Sequence, residues 1–207
     1  MSEQTYKKFW NEKILIWEKI YSAHKSNSII ERKQIANSLL LSNINDLRVL
    51  EIGCGSGRLA NDLQKSKLKS YHGIDISEVA IKAAISQFSR YPQENRFYFT
   101  VASIFEINPD NYDCIISLGL VDWLTSNELM HLFKISKDKK FLHSFSSTRN
   151  SFQRLMHKLY VAIKYGIKTN FWPKYYSDEY MLSHLQKSHK LTIYNQNKSF
   201  GSFIYSL

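Results

Sequence analysis

The residues with the clearest capacity for chemistry are three alternating glycines, Gly53, Gly55 and Gly57. They follow a short apolar run that ends at Ile52, and a helix-like segment begins at Arg58. Glycine is needed where the backbone turns sharply, or where a ligand must lie against it with no Cβ in the way. Backbone N–H groups at the start of a helix also point outward. The spacing therefore predicts a loop that holds a small ligand against bare backbone.

Two neighbouring residues distinguish between classes of ligand. A dinucleotide-binding loop, G-x-G-x-x-G, would require glycine at position 58, which is Arg58. Glu51 lies inside the preceding strand, where it would repel an anionic pyrophosphate and attract a cationic amine. S-Adenosylmethionine carries such an amine, together with a carboxylate and a sulfonium. The residues therefore favour a zwitterionic ligand of this kind over a dinucleotide.

The stretch from Val49 to Ala60 resembles motif I of the class I S-adenosylmethionine-dependent methyltransferases. Strand, glycine loop and helix start all match that motif in residue type. The resemblance implies that the chain is a methyltransferase with S-adenosylmethionine as its cofactor. It also implies that the following residues bind the cofactor: Glu51, Gly53, Cys54, Gly55 and Gly57.

An acid at the tip of the second predicted strand extends the resemblance. Asp75, followed by Ile76, matches the family's ribose-binding acid, which accepts hydrogen bonds from both ribose hydroxyls. The alternative is that Asp75 only helps to cap the next helix, but Ser77 already fills that role. We therefore predict that Asp75 and Ile76 belong to the cofactor site.

The tips of the third and fourth strands complete the predicted cofactor site. The family usually places an acid near the adenine amino group after the third strand, whereas this chain has Ser103. A serine still accepts one hydrogen bond, and the backbone N–H of Ile104 can serve regardless. After the fourth strand, the resemblance places Leu118 beside the methionine part of the cofactor.

Residues acting on the acceptor are harder to predict, because methyl transfer needs a general base only if the acceptor must lose a proton. Asp122 follows the fourth strand and His143 lies in the fifth, and both are predicted catalytic candidates. The predicted substrate contacts are Trp123, Tyr175 and Tyr176. The alternatives are a hydrogen-bonded core histidine at position 143 and simple aromatic packing of the tyrosines.

The nature of the acceptor remains a choice between hypotheses. Methyltransferases that modify amino groups often carry Asn/Asp-Pro-Pro-Tyr/Phe after the fourth strand, and this chain does not. The stretch there is more similar to small-molecule methyltransferases, which we favour. A net charge of +10 keeps an RNA or protein acceptor open, although the lysines are scattered. Because Ser103 replaces the acid usual in the family, a third hypothesis stays open, in which the protein binds S-adenosylmethionine without turnover.

The surrounding elements indicate an α/β, Rossmann-like three-layer sandwich. Apolar runs at 47–52, 70–74, 96–101, 112–117 and 140–146 predict strands that alternate with helices, as in a mostly parallel sheet. Two further runs at 191–194 and 202–206 predict a C-terminal antiparallel hairpin and seven strands in total. The buried face of the helix after Ser77 is predicted to comprise Ile81, Ala84, Ile85 and Phe88.

We predict one methyltransferase domain over residues 1–207, with a cofactor-binding core at 45–146 and a final helix and hairpin at 177–207. Residues 1–43 form helices, the first carrying an apolar stripe that covers the cofactor as a lid or packs in the core. The stripe comprises Trp10, Ile14, Trp17 and Tyr21. The second helix, from about 28 to 41, is predicted to turn Ile30, Ile35 and Leu39 inward.

The segment 150–176 is predicted as a helical insert with a helix at 151–167. Its helical spacing aligns six large apolar side chains. These are Phe152, Leu155, Met156, Leu159, Tyr160 and Ile163. Three interpretations remain open: a lid over an apolar substrate pocket, plain packing on the domain, or contact with a membrane surface or lipid-like acceptor.

The composition of the chain bears on where in the cell the protein is expected. The first eight residues lack the apolar run of a signal peptide, and the longest apolar stretch is too short to cross a bilayer. Cys54 and Cys114 cannot by themselves form a disulfide framework or a zinc site, so no metal is predicted. A reducing cytoplasm is the simplest expected location.

Overall fold

Seven strands form one sheet, in which five parallel strands are joined by a C-terminal antiparallel hairpin. The computed structural model describes residues 3–23, 27–89, 96–149, 151–165, 172–185, 191–196 and 201–207. The strands are β1 (Arg48–Ile52), β2 (Ser70–Asp75), β3 (Phe97–Val101), β4 (Cys114–Ser117), β5 (Lys140–Ser146), β6 (Thr192–Asn195) and β7 (Gly201–Ser206). They lie in the order β3-β2-β1-β4-β5-β7-β6. The predicted fold class is confirmed, and the strand ends differ from the predicted ones by one or two residues.

Helices cover both faces of the sheet. They are α1 (Glu3–Ala23), α2 (Asn27–Leu41), α3 (Arg58–Leu63), α4 (Glu78–Phe88), α5 (Ser126–Ser136), α6 (Ser151–Tyr165) and α7 (Asp178–Leu185). Side chains alternate between the two faces, so Leu50 packs in a cluster with α5 and α7. Its neighbour Val49 packs in a second cluster with α2, α3 and Phe88 of α4. Two apolar clusters on opposite faces of one sheet produce the three layers.

The strand register brings the predicted site together at one edge. Ile52 of β1 pairs with Ile74 of β2, and Ile74 pairs with Thr100 of β3. Since the strands are parallel and in step, their carboxyl ends reach the same edge of the sheet. The glycine loop after β1 and Asp75 at the end of β2 are therefore neighbours.

Two helices begin directly after serine caps. The Ser77 hydroxyl accepts a hydrogen bond from the Ala80 N–H at 3.2 Å, and α4 begins at Glu78. The Ser177 hydroxyl accepts one from the Tyr180 N–H at 3.1 Å, directly before α7. Each hydroxyl satisfies a backbone donor that the first helical turn leaves without an internal partner. The placement of these two helices could therefore be predicted from local chemistry.

Two predicted helix faces need correction. On α2 the fully buried residues are Ala36 and Leu40, whereas Ile35 and Leu39 are only half-buried. The side chain of Ile30 lies outside the described residues, as do those of Trp17 and Tyr21 on α1. On α4, Ile81, Ala84 and Phe88 are buried, but Ile85 is 49% exposed. A small rotation of a helix about its own axis changes which of its apolar side chains face the sheet.

The structure describes most of the predicted insert at 150–176. Its helix α6 runs to Tyr165 in the described residues, and residues 150 and 166–171 lie outside them. The six aligned apolar side chains all face solvent rather than the body of the protein. In the part of the chain that the structure describes, no helix combines the length and apolar character required to cross a membrane.

Candidate cofactor and acceptor site

The loop after β1 has a backbone conformation that favours glycine at three positions. Gly53, Gly55 and Gly57 have φ angles of 73°, 54° and 79°, in the left-handed region that side chains rarely adopt. A Cβ on Gly55 would meet only Ile14 Cδ1, at 3.8 Å, because this position faces open space. Gly55 therefore leaves a bare stretch of backbone that a ligand can approach closely.

The third glycine serves a different purpose. A Cβ on Gly57 would lie 3.1 Å from the Phe99 ring and 3.3 Å from the Ala84 Cβ. Gly57 consequently allows α3 to start close against β3 and α4, and it is not a lining residue of the cavity described below. The structure therefore places Gly57 in helix–strand packing rather than against the predicted cofactor.

Asp75 and the loop hold each other in place. One carboxylate oxygen of Asp75 accepts the Gly55 N–H at 3.0 Å, and the other accepts the Ser77 N–H at 2.9 Å. The N–H groups of Gly53 and Cys54 both donate to the Ile74 carbonyl, at 2.8 and 3.0 Å. Burial raises the pKa of Asp75, and the backbone donors oppose that effect. Asp75 thus fixes the loop and contributes to the helix start, and it also lines the cavity.

Glu51 is a buried acid on the same cavity. Its side chain is 3% exposed and accepts a hydrogen bond from the Tyr71 hydroxyl. Burial, with smaller contributions from the negative charges of Asp75 and Asp62, raises the pKa of Glu51 to about 8. A cation bound beside it would favour the ionised form. A buried acid with a raised pKa next to a bare loop fits a ligand that carries an amine.

A cavity of about 430 Å³ connects these groups. That volume lies within the usual range for small-ligand sites. Around the loop and Asp75 it is lined by Glu51, Ile52, Gly53, Cys54, Gly55 and Ile76. A second part of its wall comes from α1 and the tips of β3 and β4, through Tyr6, Trp10, Ile14, Ala102, Ile104, Leu118, Leu120, Trp123 and Leu124, and a third part comes from α2. The cavity is therefore polar at the loop and largely apolar beyond it.

Helix α1 covers the cavity through aromatic contacts. The rings of Trp10 and Trp123 meet edge to face, with centroids 5.3 Å apart and an interplanar angle of 90°. The Tyr6 hydroxyl donates to the Trp123 carbonyl at 2.6 Å. Phe9, one position before Trp10, packs with Trp123 in a small apolar cluster. Helix α1 thus both packs on the domain and forms one wall of the cavity.

Sequence reasoning missed the contribution of α2 to this wall. Arg32, Lys33 and Asn37 line the cavity, and Lys33 forms an ion pair of 2.9 Å with Asp62. The spacing of apolar residues in α2 predicts which side of the helix packs on the sheet. It does not indicate which of its polar residues reach the cavity at the edge of the sheet. Only the packing of α2 beside the glycine loop reveals these residues.

Asp122 is not at the cavity, which corrects its predicted catalytic role. Its carboxylate is buried and accepts the Ser146 N–H at 2.7 Å and the Ser146 hydroxyl at 2.6 Å. Its carbonyl accepts the Lys174 N–H at 2.7 Å. These bonds tie the turn after β4 to the end of β5 and to the segment before α7. Asp122 therefore positions its neighbour Trp123 instead of meeting a substrate.

We expect Asp122→Ala to lower the free energy of unfolding by about 2–3 kcal/mol, because it leaves the buried N–H of Ser146 without an acceptor. The affinity for S-adenosylhomocysteine should not change. Chemical denaturation and calorimetry measure the two effects, and Ser146→Ala, which removes only the hydroxyl, is the milder control. A variant that stays fully stable but loses methyl transfer would return Asp122 to the catalytic machinery.

His143 also lies away from the cavity. Its two ring nitrogens are 2.9 Å from the hydroxyls of Ser117 and Ser136, and its ring stacks on Phe141. Burial lowers the pKa of His143 to about 3, so the ring is neutral near pH 7. A fully buried, doubly hydrogen-bonded ring cannot exchange protons with an acceptor, so the second catalytic prediction is corrected. The open alternative, a satisfied core histidine, describes it.

The remaining predicted residues divide between the cavity and its surroundings. Ile104 and Trp123 line the cavity, but Ser103 caps a short turn by accepting the Phe105 N–H. Tyr175 donates or accepts a hydrogen bond of 2.8 Å with His157 of α6, outside the cavity lining. The backbone of Tyr176 pairs with the end of β5. Of the predicted substrate contacts, the structure therefore brings only Trp123 to the cavity.

The predicted resemblance to the class I S-adenosylmethionine-dependent methyltransferases is confirmed by a family model that matches part of the chain and by solved structures with this fold. Residues 50–137 match the family model of a methyltransferase domain. S-Adenosylmethionine is the cofactor of that family. The matched segment includes the glycine loop, Asp75 and the cavity residues as far as Glu128.

Solved structures share the fold along the whole chain. The magnesium protoporphyrin IX methyltransferase of Synechocystis PCC 6803, solved with S-adenosylhomocysteine, superposes with a TM-score of 0.72 at 15% identity, covering 99% of each chain. Its complex with S-adenosylmethionine superposes with a TM-score of 0.69 at 16% identity, over 98% of this chain and 95% of that one. A protein described as converting a disulfide bond into a thioacetal group during echinomycin biosynthesis has a TM-score of 0.62 at 17% identity, over 82% and 79%. No curated protein matches the chain by sequence.

Proposed function

We propose that this chain transfers the methyl group of S-adenosylmethionine to a small-molecule acceptor. The main support for this proposal is one continuous cavity, which extends from the bare loop at Gly55 to the aromatic wall at Trp10 and Trp123. One end suits the amine and ribose of the cofactor, and the other offers apolar surface for an acceptor. The similar proteins are described as acting on a porphyrin and on an echinomycin intermediate, which are both small molecules.

In this proposal each part of the cofactor meets a particular group. Glu51 faces the amine, the backbone at Gly53 and Gly55 carries the methionine part together with Leu118, and Asp75 accepts the ribose hydroxyls. Ala102 and Ile104 at the tip of β3 border the adenine. The bound cofactor supplies an activated methyl group and its own leaving group.

The chain's own residues then act by positioning. Trp123, held by Trp10 and by the Tyr6 hydroxyl, forms a stiff wall that aligns the acceptor with the methyl group. In this proposal helix α1 and the apolar wall shield one side of the reacting atoms from solvent. Because Asp122 and His143 lie elsewhere, the proposal requires no general base, and it suits an acceptor that is already nucleophilic.

Two measurements test the proposal in order. Calorimetry with S-adenosylmethionine and S-adenosylhomocysteine should show binding of both, and absence of binding to either would reject it. Incubation with labelled S-adenosylmethionine and a whole-cell extract that contains metabolites, RNA and protein should then yield a labelled small molecule. Cofactor binding without any labelled product would favour a binding protein without turnover, and label appearing only in RNA or protein would favour a macromolecular acceptor.

The raised pKa of Glu51 leads to a further expected result. Near pH 7 an acid with a pKa of about 8 is mostly protonated, whereas a bound amine stabilises its ionised form. Binding of S-adenosylhomocysteine should therefore release a proton, and its affinity should rise with pH until about pH 8 and then level off. Below that point the rise should be at most about tenfold per pH unit.

Calorimetry near pH 7 in two buffers of different ionisation enthalpy measures this proton directly. The apparent binding enthalpies should differ for the natural protein and coincide for Glu51→Gln, which cannot ionise. Tyr71→Phe is the matched control, since it removes the hydroxyl that contacts Glu51 but keeps the acid. Equal enthalpies in the two buffers for the natural protein would show that Glu51 does not respond to the amine.

A further inference from the structure

Helix α6 presents its apolar side to solvent. Ile163 is 82% exposed and Phe152 is 70% exposed. The same side carries Leu155, Met156, Leu159 and Tyr160, each between 39% and 55% exposed. A surface helix normally turns such a stripe toward the core. A continuous row of large exposed side chains instead marks a surface that contacts an apolar partner.

The opposite side of α6 is the side that holds it to the protein. Val161 is buried against Phe9 and Trp123, and His157 lies 2.8 Å from the Tyr175 hydroxyl. The Lys158 ammonium sits over the Tyr175 ring, 5.6 Å from its centroid. These contacts fix the rotation of α6, so its apolar side cannot turn inward without breaking them. The apolar side of α6 is therefore an outer surface of the protein, and the contacts on its opposite side fix its orientation.

Charge around α6 indicates which partner fits. No aspartate or glutamate occurs from residue 139 to residue 177, and the whole chain has a net charge of +10. Basic residues occur along the same stretch. They are Arg149, Arg154, Lys158, Lys164, Lys168 and Lys174, whereas Lys139 and Lys140 lie at the far end of β5, where they donate to the carbonyls of Tyr112 and Asn43. An apolar helix face accompanied by basic residues and no acid is complementary to anionic lipid headgroups over an acyl layer.

A second copy of this chain fits the same surface less well. A symmetric dimer through α6 would bring the same surface of two copies together, so basic residues beside α6 in one copy would approach basic residues of the other. With no acid between 139 and 177, these approaches would be repulsive. A lipid surface supplies the opposite charge and buries the apolar stripe at the same time.

We propose that α6 docks the protein on anionic lipid membranes, with the apolar stripe entering the boundary between headgroups and acyl chains. Because Val161 contacts Trp123, a docked α6 places this wall of the cavity next to the membrane surface. The proposal concerns binding alone and holds or fails independently of methyl transfer.

Vesicle flotation of the full chain, without cofactor, tests the proposal. Vesicles of pure phosphatidylcholine are compared with vesicles that also contain phosphatidylglycerol. We expect binding to the anionic vesicles that weakens between about 0.1 M and about 1 M salt, and much weaker binding to the neutral ones. The double variant Leu159→Glu and Ile163→Glu should reduce binding at least about 30-fold, because it removes two inserted apolar side chains.

A matched control separates docking from a general charge effect. Ile85→Glu makes a single change of the same kind at a 49% exposed site on α4, remote from α6 in the chain, and should retain the natural binding; Ile163→Glu alone is compared with it at equal charge. Thermal unfolding should be the same for all variants, since both altered α6 positions face solvent.

Four results would overturn the proposal. They are absence of binding to anionic vesicles, equal binding by the α6 double variant, equal loss in Ile85→Glu, and a concentration-dependent dimer in ultracentrifugation that the α6 double variant abolishes. The last result would assign the stripe to a second copy of the chain.

Discussion

Gly55→Val should weaken the binding of S-adenosylhomocysteine by about 100-fold or more while the protein remains folded. Residue 55 has a φ of 54°, where a β-branched side chain is strained. The loop would relax to another conformation when empty, and binding would have to restore the original one. In addition, the new methyl groups would point into the open space that Gly55 borders. Calorimetry and thermal unfolding measure affinity and folding separately.

Gly57→Ala is the matched control for this substitution. It introduces a Cβ at a similar positive φ of 79°, but that Cβ meets Phe99 and Ala84 rather than the cavity. It should therefore lower the thermal stability and retain most of the affinity. If Gly55→Val kept the natural affinity with an intact fold, the loop would not be the cofactor site, and the assigned cavity would lose its main support.

Asp75→Ala should reduce the affinity for S-adenosylhomocysteine by about 30-fold or more, since hydrogen bonds to a charged acceptor contribute about 1.5–3 kcal/mol each. Two effects combine in this loss. The variant removes the acceptor proposed for the ribose hydroxyls, and it also frees the N–H groups of Gly55 and Ser77 that now hold the loop.

A ligand without the ribose hydroxyls separates these two effects. The natural protein should bind a dideoxyribose analogue of S-adenosylhomocysteine much more weakly than the parent, whereas Asp75→Ala should bind the two about equally. Ser77→Ala is the control, because it removes the cap on the Ala80 N–H and should cost about 1 kcal/mol of stability without changing affinity. An analogue penalty that persists in Asp75→Ala would place the ribose elsewhere.

The order of elements and the loop end of the cavity could be predicted because their signals are local. Glycine spacing, a strand-length apolar run and an acid at a strand tip are all contained in a few consecutive residues, as at 49–57 and 71–77. Parallel strands with short crossovers then bring these tips to one edge of the sheet, so Asp75 meets the loop at Gly55 without further information. Leu118 and Ile104 reach the cavity for the same reason.

The roles of Asp122 and His143 could not be predicted in the same way. Both lie in or beside strands whose tips form the site, so their positions in the chain suit catalysis. Whether such a polar side chain faces a cavity or a buried partner depends on residues far along the chain. Ser146 meets Asp122 across 24 positions, and Ser117 meets His143 across 26. Those pairings exist only after β4 and β5 have come together.

The amino-acid sequence by itself therefore determined the order of strands and helices along the chain, the glycine loop with its two acids and the amphipathic pattern of α6. The tertiary structure alone decided that α1 and α2 line the cavity, that Asp122 and His143 bond buried partners instead, and that the apolar side of α6 faces outward. The physical reason is that periodicity specifies which side of a helix is apolar, whereas contacts such as Val161 with Trp123 specify which side meets the protein.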